Sequence, residues 1–241
     1  MEHVTSEVMM FQSEDLMLSC SHLKKKLCLL WDVDGTIVDS KEFAYSVYND
    51  VLKILGKQTF TSKEFSEFFS SDYQLHLSRL GIKSEKEINF LVNTWNQRLL
   101  TDKHKFRLHN GILDVLRYLN ENSYEMGIVS STSKLQLQVY FDMFKIDRFF
   151  KVIIAREDVD EQKPSPKPFL LAAEKLGYSP KNCIVIDDME DGIKAAKKIG
   201  AIAIGVTWGF HTYEKISKAN PDFIATNTND LKKIITKKLG C

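Results

Sequence analysis

Short, continuous apolar runs recur along the chain and end in polar or acidic residues. These runs are Leu27–Trp31, Met126–Ser130, Val152–Ala155, Cys183–Asp187 and Ala201–Val206. Runs of this length without alternation are typical of strands that are buried on both faces, as in a parallel sheet. Segments with helical spacing separate them, and such alternation is typical of the α/β class. The pattern therefore predicts a parallel sheet that is covered by helices.

A long stretch between Ser40 and about Arg107 contains helical patterns but no strand-like run. Apolar side chains repeat there at helical spacing. Thr61 and Ser84 are each followed three residues later by glutamate, which is the capping-box signature of a helix start. An aromatic group in this stretch, Phe65, Phe68 and Phe69, is expected to belong to the core. We expect a helical insert within the α/β fold.

These patterns divide the chain into three parts. Residues 1–25 have no clear period and are predicted to be an N-terminal extension. Residues 26–41 and 107–241 would form the α/β core, and residues 42–106 would form the helical domain inserted into it. Because the connections between the two are short, the insert is expected to behave as a hinged lid.

Composition and charge narrow the classes of function. The chain has 241 residues, of which 44% are apolar, so it can bury a full core. The 33 basic side chains balance 32 acidic ones, which predicts neither nucleic-acid binding nor attraction to an anionic membrane. The sequence contains no membrane-length apolar run and no secretory signal pattern. We expect a cytoplasmic protein in which any anion is bound by a local group of side chains and not attracted by the overall charge.

The spacing of the cysteines is typical of a protein from a reducing compartment. Cys20, Cys28, Cys183 and Cys241 are scattered and form no closely spaced pair of the kind that metal or redox motifs use. Cys28 and Cys183 lie inside apolar runs, so we expect small buried core residues and not a disulfide.

Two groups of acids follow predicted strands. Asp32-Val33-Asp34-Gly35-Thr36 comes directly after the first strand, and Asp187-Asp188 ends another. Ligands of open α/β sheets bind at the carboxyl ends of the strands, where these acids would meet. An acidic turn explains either group alone, because Asp and Gly are common turn residues. Together, the carboxylates need a partner cation, and their oxygen atoms suit Mg²⁺.

Hydroxyl and ammonium groups complete the candidate chemistry. Ser130 and Ser131 end a further strand and precede a helix at which Ser133 and Gln136 resemble a capping box. Such a helix start offers hydroxyls and free N–H groups to a phosphate, although ordinary helix capping explains the same serines. Lys163 lies in a loop that prolines stiffen, where a solvated lysine is the alternative interpretation.

The order of these motifs resembles the haloacid dehalogenase-like hydrolase superfamily. Asp32-Val-Asp-Gly-Thr36, Ser130, Lys163 and Asp187-Asp188 match its four motifs in sequence order. Three further segments resemble the branch that contains phosphoglycolate phosphatase and β-phosphoglucomutase: Leu108–Gly111, Lys163–Phe169 and Asp191–Ala196. The resemblance implies a Rossmann-like parallel-sheet core with an inserted α-helical cap.

The resemblance also implies roles for individual residues. Asp32 would be the nucleophile that forms an aspartyl-phosphate, and Asp34 would be the general acid and then the base. The implied Mg²⁺ ligands are Asp32, Asp34, Asp187 and Asp188. The implied phosphate-binding residues are Gly35, Thr36, Ser130, Ser131 and Lys163.

The predicted function is a Mg²⁺-dependent phosphatase that acts on a small phosphate monoester, similar to phosphoglycolate or a sugar phosphate. A phosphomutase of the β-phosphoglucomutase type is the alternative. A receiver-type signalling domain also holds an aspartyl-phosphate with acids and Mg²⁺, but its acidic pair comes before the phosphorylated aspartate. A relative that only binds its ligand would be expected to have a broken motif, and none is broken. The expected partner is a small-molecule ester, with no nucleic acid and no membrane.

Overall fold

The computed structural model describes residues 27–238, so the predicted extension lies outside the described residues. The strands are β1 (Cys28–Trp31), β2 (Val38–Asp39), β3 (Arg107–Leu108), β4 (Glu125–Val129), β5 (Val152–Ile154), β6 (Cys183–Asp187), β7 (Ile202–Val206) and β8 (Phe223–Ala225). Six of them form one parallel sheet in the order β5-β4-β1-β6-β7-β8. The predicted α/β class is confirmed, and all five apolar runs lie in this sheet.

Ten α-helices connect the strands of the described part. They are α1 (Lys41–Ile54), α2 (Ser62–Phe68), α3 (Tyr73–Arg79), α4 (Glu85–Thr101), α5 (Ile112–Glu121), α6 (Lys134–Phe144), α7 (Lys167–Leu176), α8 (Glu190–Lys198), α9 (Tyr213–Lys218) and α10 (Thr228–Lys238). Both predicted capping boxes are present, at Thr61 before α2 and at Ser84 before α4. Within residues 27–238, no helix is both long enough and apolar enough to cross a membrane.

The sheet separates two hydrophobic clusters, because successive residues of a strand point to opposite faces. On β1, Leu29 and Trp31 belong to one cluster, whereas Cys28 and Leu30 belong to the other. Cys28 is paired in register with Cys183 on β6, and both are buried free thiols with their Sγ atoms 3.2 Å apart. The prediction of two small core residues without a disulfide is confirmed.

Helices α1 to α4, called the insert helices below, lie between β2 and β3. These two strands form a separate antiparallel pair, in which Val38 lies opposite Leu108. The chain therefore enters and leaves the insert side by side. A further contact joins the α2–α3 loop to the core: the Ser70 hydroxyl and the Ser71 N–H both donate to Asp191 Oδ2 on α8, at 2.8 and 2.9 Å. The division into core and cap domains stays a prediction.

Candidate active site

The carboxyl end of β1 forms a tight turn that places the first acid motif. Asp32 N–H donates to the Ile186 carbonyl of β6 at 3.0 Å, and Gly35 N–H donates to the Val38 carbonyl at 2.8 Å. Gly35 has φ +81°, and a Cβ atom there would lie 2.3 Å from Asp188 Oδ2. Only glycine permits both this backbone conformation and the close approach of Asp188. The turn therefore brings the two acid motifs together.

Lys163 joins the two motifs through a pair of buried ion pairs. Its Nζ lies 2.6 Å from Asp32 Oδ1 and 2.8 Å from Asp187 Oδ2, and the lysine side chain is 1% exposed. Burial opposes the lysine charge, but Asp187 and Asp32 together raise the pKa of Lys163 above its usual value. Lys163 therefore stays an ammonium, and the solvated-lysine interpretation is wrong.

Asp188, the second acid of the Asp187-Asp188 motif, is fully buried against the turn of the first motif. Its Oδ1 accepts the Thr36 hydroxyl at 2.8 Å, and its Oδ2 accepts the Phe210 N–H at 2.7 Å. Burial and the neighbouring Asp187 raise the pKa of Asp188 to about 7. Burial also raises the pKa of Asp32 well above its usual value, against the opposing effect of Lys163. Asp32 and Asp187 pair with the Lys163 ammonium, whereas Asp188 is held by Thr36 and Phe210.

Asp187 has a different environment from Asp188. Its Oδ2 accepts Lys163, its Oδ1 accepts the Met189 N–H at 2.9 Å, and its carboxylate packs directly against Gly192. Both oxygens of Asp187 are thus engaged by the protein, as those of Asp188 are, but Asp187 alone of the two pairs with Lys163. This geometry makes Asp187 the anchor of Lys163, and its implied role as a metal ligand stays a prediction.

The loop after β4 presents hydroxyl groups beside Asp32. Ser130 is buried and its Oγ accepts the Thr132 N–H at 3.2 Å. The Ser131 Oγ is buried and makes no hydrogen bond within the protein. A buried hydroxyl without a partner is rare, and a bound ligand oxygen would satisfy it. Ser133 caps α6 by accepting the Gln136 N–H at 3.3 Å.

Asp34 accepts three side-chain hydrogen bonds. Its Oδ2 accepts the Thr132 hydroxyl, and its Oδ1 accepts the Tyr140 hydroxyl at 2.6 Å and the Gln136 Nε2 at 3.1 Å. Burial and the charge of Asp34 raise the pKa of Tyr140 well above its usual value. Tyr140 therefore remains a hydrogen-bond donor, and the orientation of the Asp34 carboxylate is defined.

A cavity of about 130 Å³ lies between these residues and the insert helices. Of the predicted site residues, four line it directly: Asp32, Asp34, Ser130 and Ser131. Gly35, Thr36, Lys163, Asp187 and Asp188 support these from behind. The insert lines the opposite wall with several aromatic side chains: Tyr48, Phe69, Tyr73 and Trp95. Phe69 stacks on Phe210 at 4.5 Å and belongs to this wall, whereas only core packing was expected for it.

His76 on α3 also lines the cavity and is 1% exposed. Neither ring nitrogen has a hydrogen-bond partner within the protein. The ring makes edge contacts with Tyr48 and Phe69, both at 4.6 Å between centroids. Burial and the charge of Arg79 lower the pKa of His76 to about 3. The insert therefore presents a neutral imidazole to the cavity.

Sequence reasoning missed several residues of this site. Tyr140 lies seven residues after the helix cap and resembles an ordinary buried aromatic of α6. Gln136 was interpreted as part of a capping box, but its side chain turns away from Ser133 to Asp34. Trp95 lies on the apolar stripe of α4 that predicted the helix. No local signal distinguished these three from core residues, because their partners are distant in sequence.

Comparison with known proteins gives a consistent result. The family model for "Haloacid dehalogenase-like hydrolase" matches residues 29–206. Among curated proteins, pyrophosphatase PpaX of Bacillus pumilus is 24% identical over 209 residues, covering 86% of this chain and 95% of PpaX. Phosphoglycolate phosphatase of Salmonella choleraesuis is 32% identical over 120 residues, covering 50% of this chain and 48% of that enzyme.

Solved structures share the fold. A hydrolase from Pseudomonas syringae superimposes with a TM-score of 0.78 at 22% identity, covering 88% of this chain and 98% of the other. CbbY from Rhodobacter sphaeroides, solved in complex with phosphate, gives a TM-score of 0.73 at 22% identity, with 85% and 95% covered. These likenesses extend over both the parallel sheet and the inserted helices.

Proposed function

The chain belongs to the haloacid dehalogenase-like hydrolase family, and from this membership we propose that it hydrolyses a small phosphate monoester with Asp32 as nucleophile and Mg²⁺ as cofactor. The predicted enzyme class, a phosphatase of this family, is confirmed by the family match and by the phosphatases among its relatives. One observation carries the finer proposal: the Asp32 carboxylate lies on the cavity wall, next to hydroxyl groups and a buried ammonium.

In the first half-reaction, an Asp32 carboxylate oxygen attacks phosphorus, and the bond to the ester oxygen breaks. Asp34 gives its proton to the departing alkoxide, which leaves as an alcohol. In the second half, Asp34 takes a proton from a water molecule as that water attacks the aspartyl-phosphate. Inorganic phosphate leaves and Asp32 is regenerated as a carboxylate.

The loop after β4 is suited to hold the phosphoryl oxygens. Ser130 and Ser131 line the cavity beside Asp32, and the unpartnered Ser131 hydroxyl provides a free donor. Lys163 contributes its positive charge from behind Asp32. Gly35 and Thr36 act indirectly, because they hold Asp188 in place.

The donor set fits Mg²⁺ in its chemistry and its charge. Mg²⁺ is usually bound by one or two carboxylates together with waters and substrate phosphate oxygens. Asp32, Asp188 and the main-chain carbonyl of Asp34 would be the protein ligands. Among residues 27–238, no three His, Cys, Asp or Glu side chains are arranged as a preformed metal site. The bound ion would neutralise charge between the carboxylates and the phosphate.

The insert helices would act as a cap that surrounds the leaving group. They supply one wall of the cavity, whose volume of about 130 Å³ suits one small organic molecule. Arg156, two residues after the end of β5, is the one arginine or lysine among the described residues that line the cavity. Its guanidinium lies 5.7 Å from the Tyr73 ring centroid. These contacts support a small monoester as the substrate.

Release of inorganic phosphate tests the proposal. A panel would include phosphoglycolate, sugar phosphates, glycerol 2-phosphate, pyrophosphate and 4-nitrophenyl phosphate, each with Mg²⁺ and with EDTA. We expect release that requires Mg²⁺ and is lost in Asp32→Asn, while the exposed Asp114→Asn serves as the matched control. Release without Asp32 would contradict the proposed nucleophile. Isomerisation of a sugar phosphate in place of phosphate release would favour the mutase alternative.

A further inference from the structure

Gln136 connects the insert to Asp34 through its side-chain amide, in which both the oxygen and the nitrogen have hydrogen-bond partners. Its Oε1 accepts the indole N–H of Trp95 on α4 at 2.7 Å. Its Nε2 donates to the Tyr140 hydroxyl at 2.6 Å and to Asp34 Oδ1 at 3.1 Å. The side chain is 3% exposed. One buried amide therefore contacts both the inserted helices and the candidate acid–base residue.

The orientation of this amide is determined by its partners. An indole N–H can only donate, so it requires the carbonyl end of Gln136 to face it. A flipped amide would direct its NH₂ group at the Trp95 N–H and its oxygen at the Asp34 carboxylate. Both contacts would be repulsive in a buried site. The Trp95 hydrogen bond thus directs the donor end of Gln136 to Asp34.

We propose that Gln136 is a positioning residue for Asp34 and that Trp95 of the insert controls it. The proposal rests on the proposed acid–base role of Asp34. Thr132 and Tyr140 hold the carboxylate from the core side, and Tyr140 also accepts a hydrogen bond from the amide nitrogen of Gln136. The amide oxygen of Gln136 is held from the insert, by Trp95. Displacement of α4 removes the Trp95 donor and leaves the amide held at its nitrogen end only. The general acid is then fully aligned only when the insert is packed over the cavity.

Such a coupling has a chemical benefit. A proton donor must be aligned with the leaving oxygen, and small displacements reduce the rate strongly. Trp95 and Gln136 both line the cavity in which the leaving group of the proposed reaction would lie. Packing of the insert would therefore exclude water and align the acid in one event.

The leaving group of the substrate separates positioning from a structural role. Expulsion of an alkoxide from glycerol 2-phosphate needs a proton, whereas 4-nitrophenolate leaves without one. In Gln136→Leu we expect kcat/KM for glycerol 2-phosphate to fall about tenfold to a hundredfold, since positioned proton transfer contributes about 10²–10⁴-fold and the variant loses only part of the positioning. We expect less than about a threefold fall for 4-nitrophenyl phosphate. Gln138→Leu, two residues along α6 and exposed, is the matched control. Equal losses on both esters, or none, would overturn the positioning role.

Trp95→Phe tests the link to the insert. Phenylalanine keeps the ring packing against Phe43 and Tyr48 but lacks the N–H donor. We expect the same selective loss for glycerol 2-phosphate, smaller in size, and a double variant no slower than Gln136→Leu alone. Losses that multiply in the double variant would show that Trp95 acts independently of Gln136, and would overturn the link.

A measurement without turnover distinguishes failure of this proposal from failure of the proposed function. By NMR, the Trp95 indole N–H should exchange slowly with solvent, and faster in Gln136→Leu. Trp95→Phe assigns the signal. Equal exchange in both proteins would overturn the contact whatever the activity. Conversely, a protected indole in a protein that releases no phosphate would count against the phosphatase.

Discussion

Lys163 Nζ lies 2.6 Å from Asp32 Oδ1, although 131 residues separate the two in sequence. Both side chains are buried, and the same ammonium contacts Asp187. The lysine therefore neutralises part of a buried acidic cluster and at the same time orients the candidate nucleophile. We therefore expect stability and the proposed activity to depend on the same contact.

Replacement of Lys163 by methionine should be strongly destabilising. It would leave the carboxylates of Asp32 and Asp187 buried without a cation, and loss of one partner of a buried pair costs about 3–5 kcal/mol. Urea unfolding at pH 7 measures the change. Lys167→Met, an exposed lysine nearby in sequence, is the control and should unfold like the natural protein. Asp187→Asn in the same chain should recover part of the loss; no recovery would contradict the charge explanation.

Gly35→Ala tests the contact between the two acid motifs. Gly35 and Gly56 both have positive φ values, +81° and +65°, but only Gly35 has atoms of another residue close to the position of an added Cβ. We expect Gly56→Ala to cost about 1 kcal/mol from backbone strain alone. Gly35→Ala should cost about 2–4 kcal/mol, because the Asp188 carboxylate must also move. Equal midpoints in thermal unfolding would exclude the clash.

His76 should make the free energy of unfolding depend on pH. Its pKa in the folded protein, about 3, is below its ordinary value of 6.5, so the unfolded chain binds more protons between these limits. The contribution of His76 to the free energy of unfolding is therefore fully present above pH 6.5 and decreases as the pH falls toward 3. His211, with a pKa of about 4 through burial and the charge of Lys215, acts in the same direction.

His76→Phe isolates this contribution while it keeps an aromatic ring among Tyr48 and Phe69. Near pH 5, the slope of stability against pH should decrease by about 1.4 kcal/mol per pH unit, which corresponds to one proton. At pH 7 the variant should be at least as stable as the natural protein, because two unpaired buried nitrogens are removed. Urea titrations between pH 4.5 and 7.5 measure both effects. An unchanged slope would mean that His76 is not buried in its neutral form.

Asp191→Ala should loosen the attachment of the insert to the core. The variant removes the acceptor of the Ser70 hydroxyl and the Ser71 N–H. We expect amide exchange at Ser71 to become about tenfold faster, the equivalent of about 1.4 kcal/mol for a lost hydrogen bond to a carboxylate. Lys194→Ala on the same helix is the control, since the half-exposed Lys194 ammonium pairs with Glu190. Unchanged exchange at Ser71 would place the attachment elsewhere.

The sequence predicted those elements that have a strong local pattern. Short, continuous apolar runs predicted the sheet. Capping boxes at Thr61 and Ser84 predicted the starts of α2 and α4, because backbone capping depends on residues three positions apart. β2, β3 and β8 were not predicted: β2 and β3 have two residues each and no measurable period, and the apolar run of β8 is only three residues long, one fewer than the run that predicted β5. The roles inferred for Asp32, Asp34 and the serines stay predictions, although the structure brings these residues to one cavity.

The sequence by itself determined the α/β class and which strand ends carry acids, because a strand and the turn that follows it are specified by neighbouring residues. Tertiary structure alone decided which group each polar side chain contacts. Lys163 contacts Asp32 and Asp187, and Gln136 contacts Asp34 and Trp95. The two ring nitrogens of His76 are buried without a hydrogen-bond partner. These contacts depend on desolvation and on distances between residues that are far apart in sequence, and a local sequence pattern contains neither quantity.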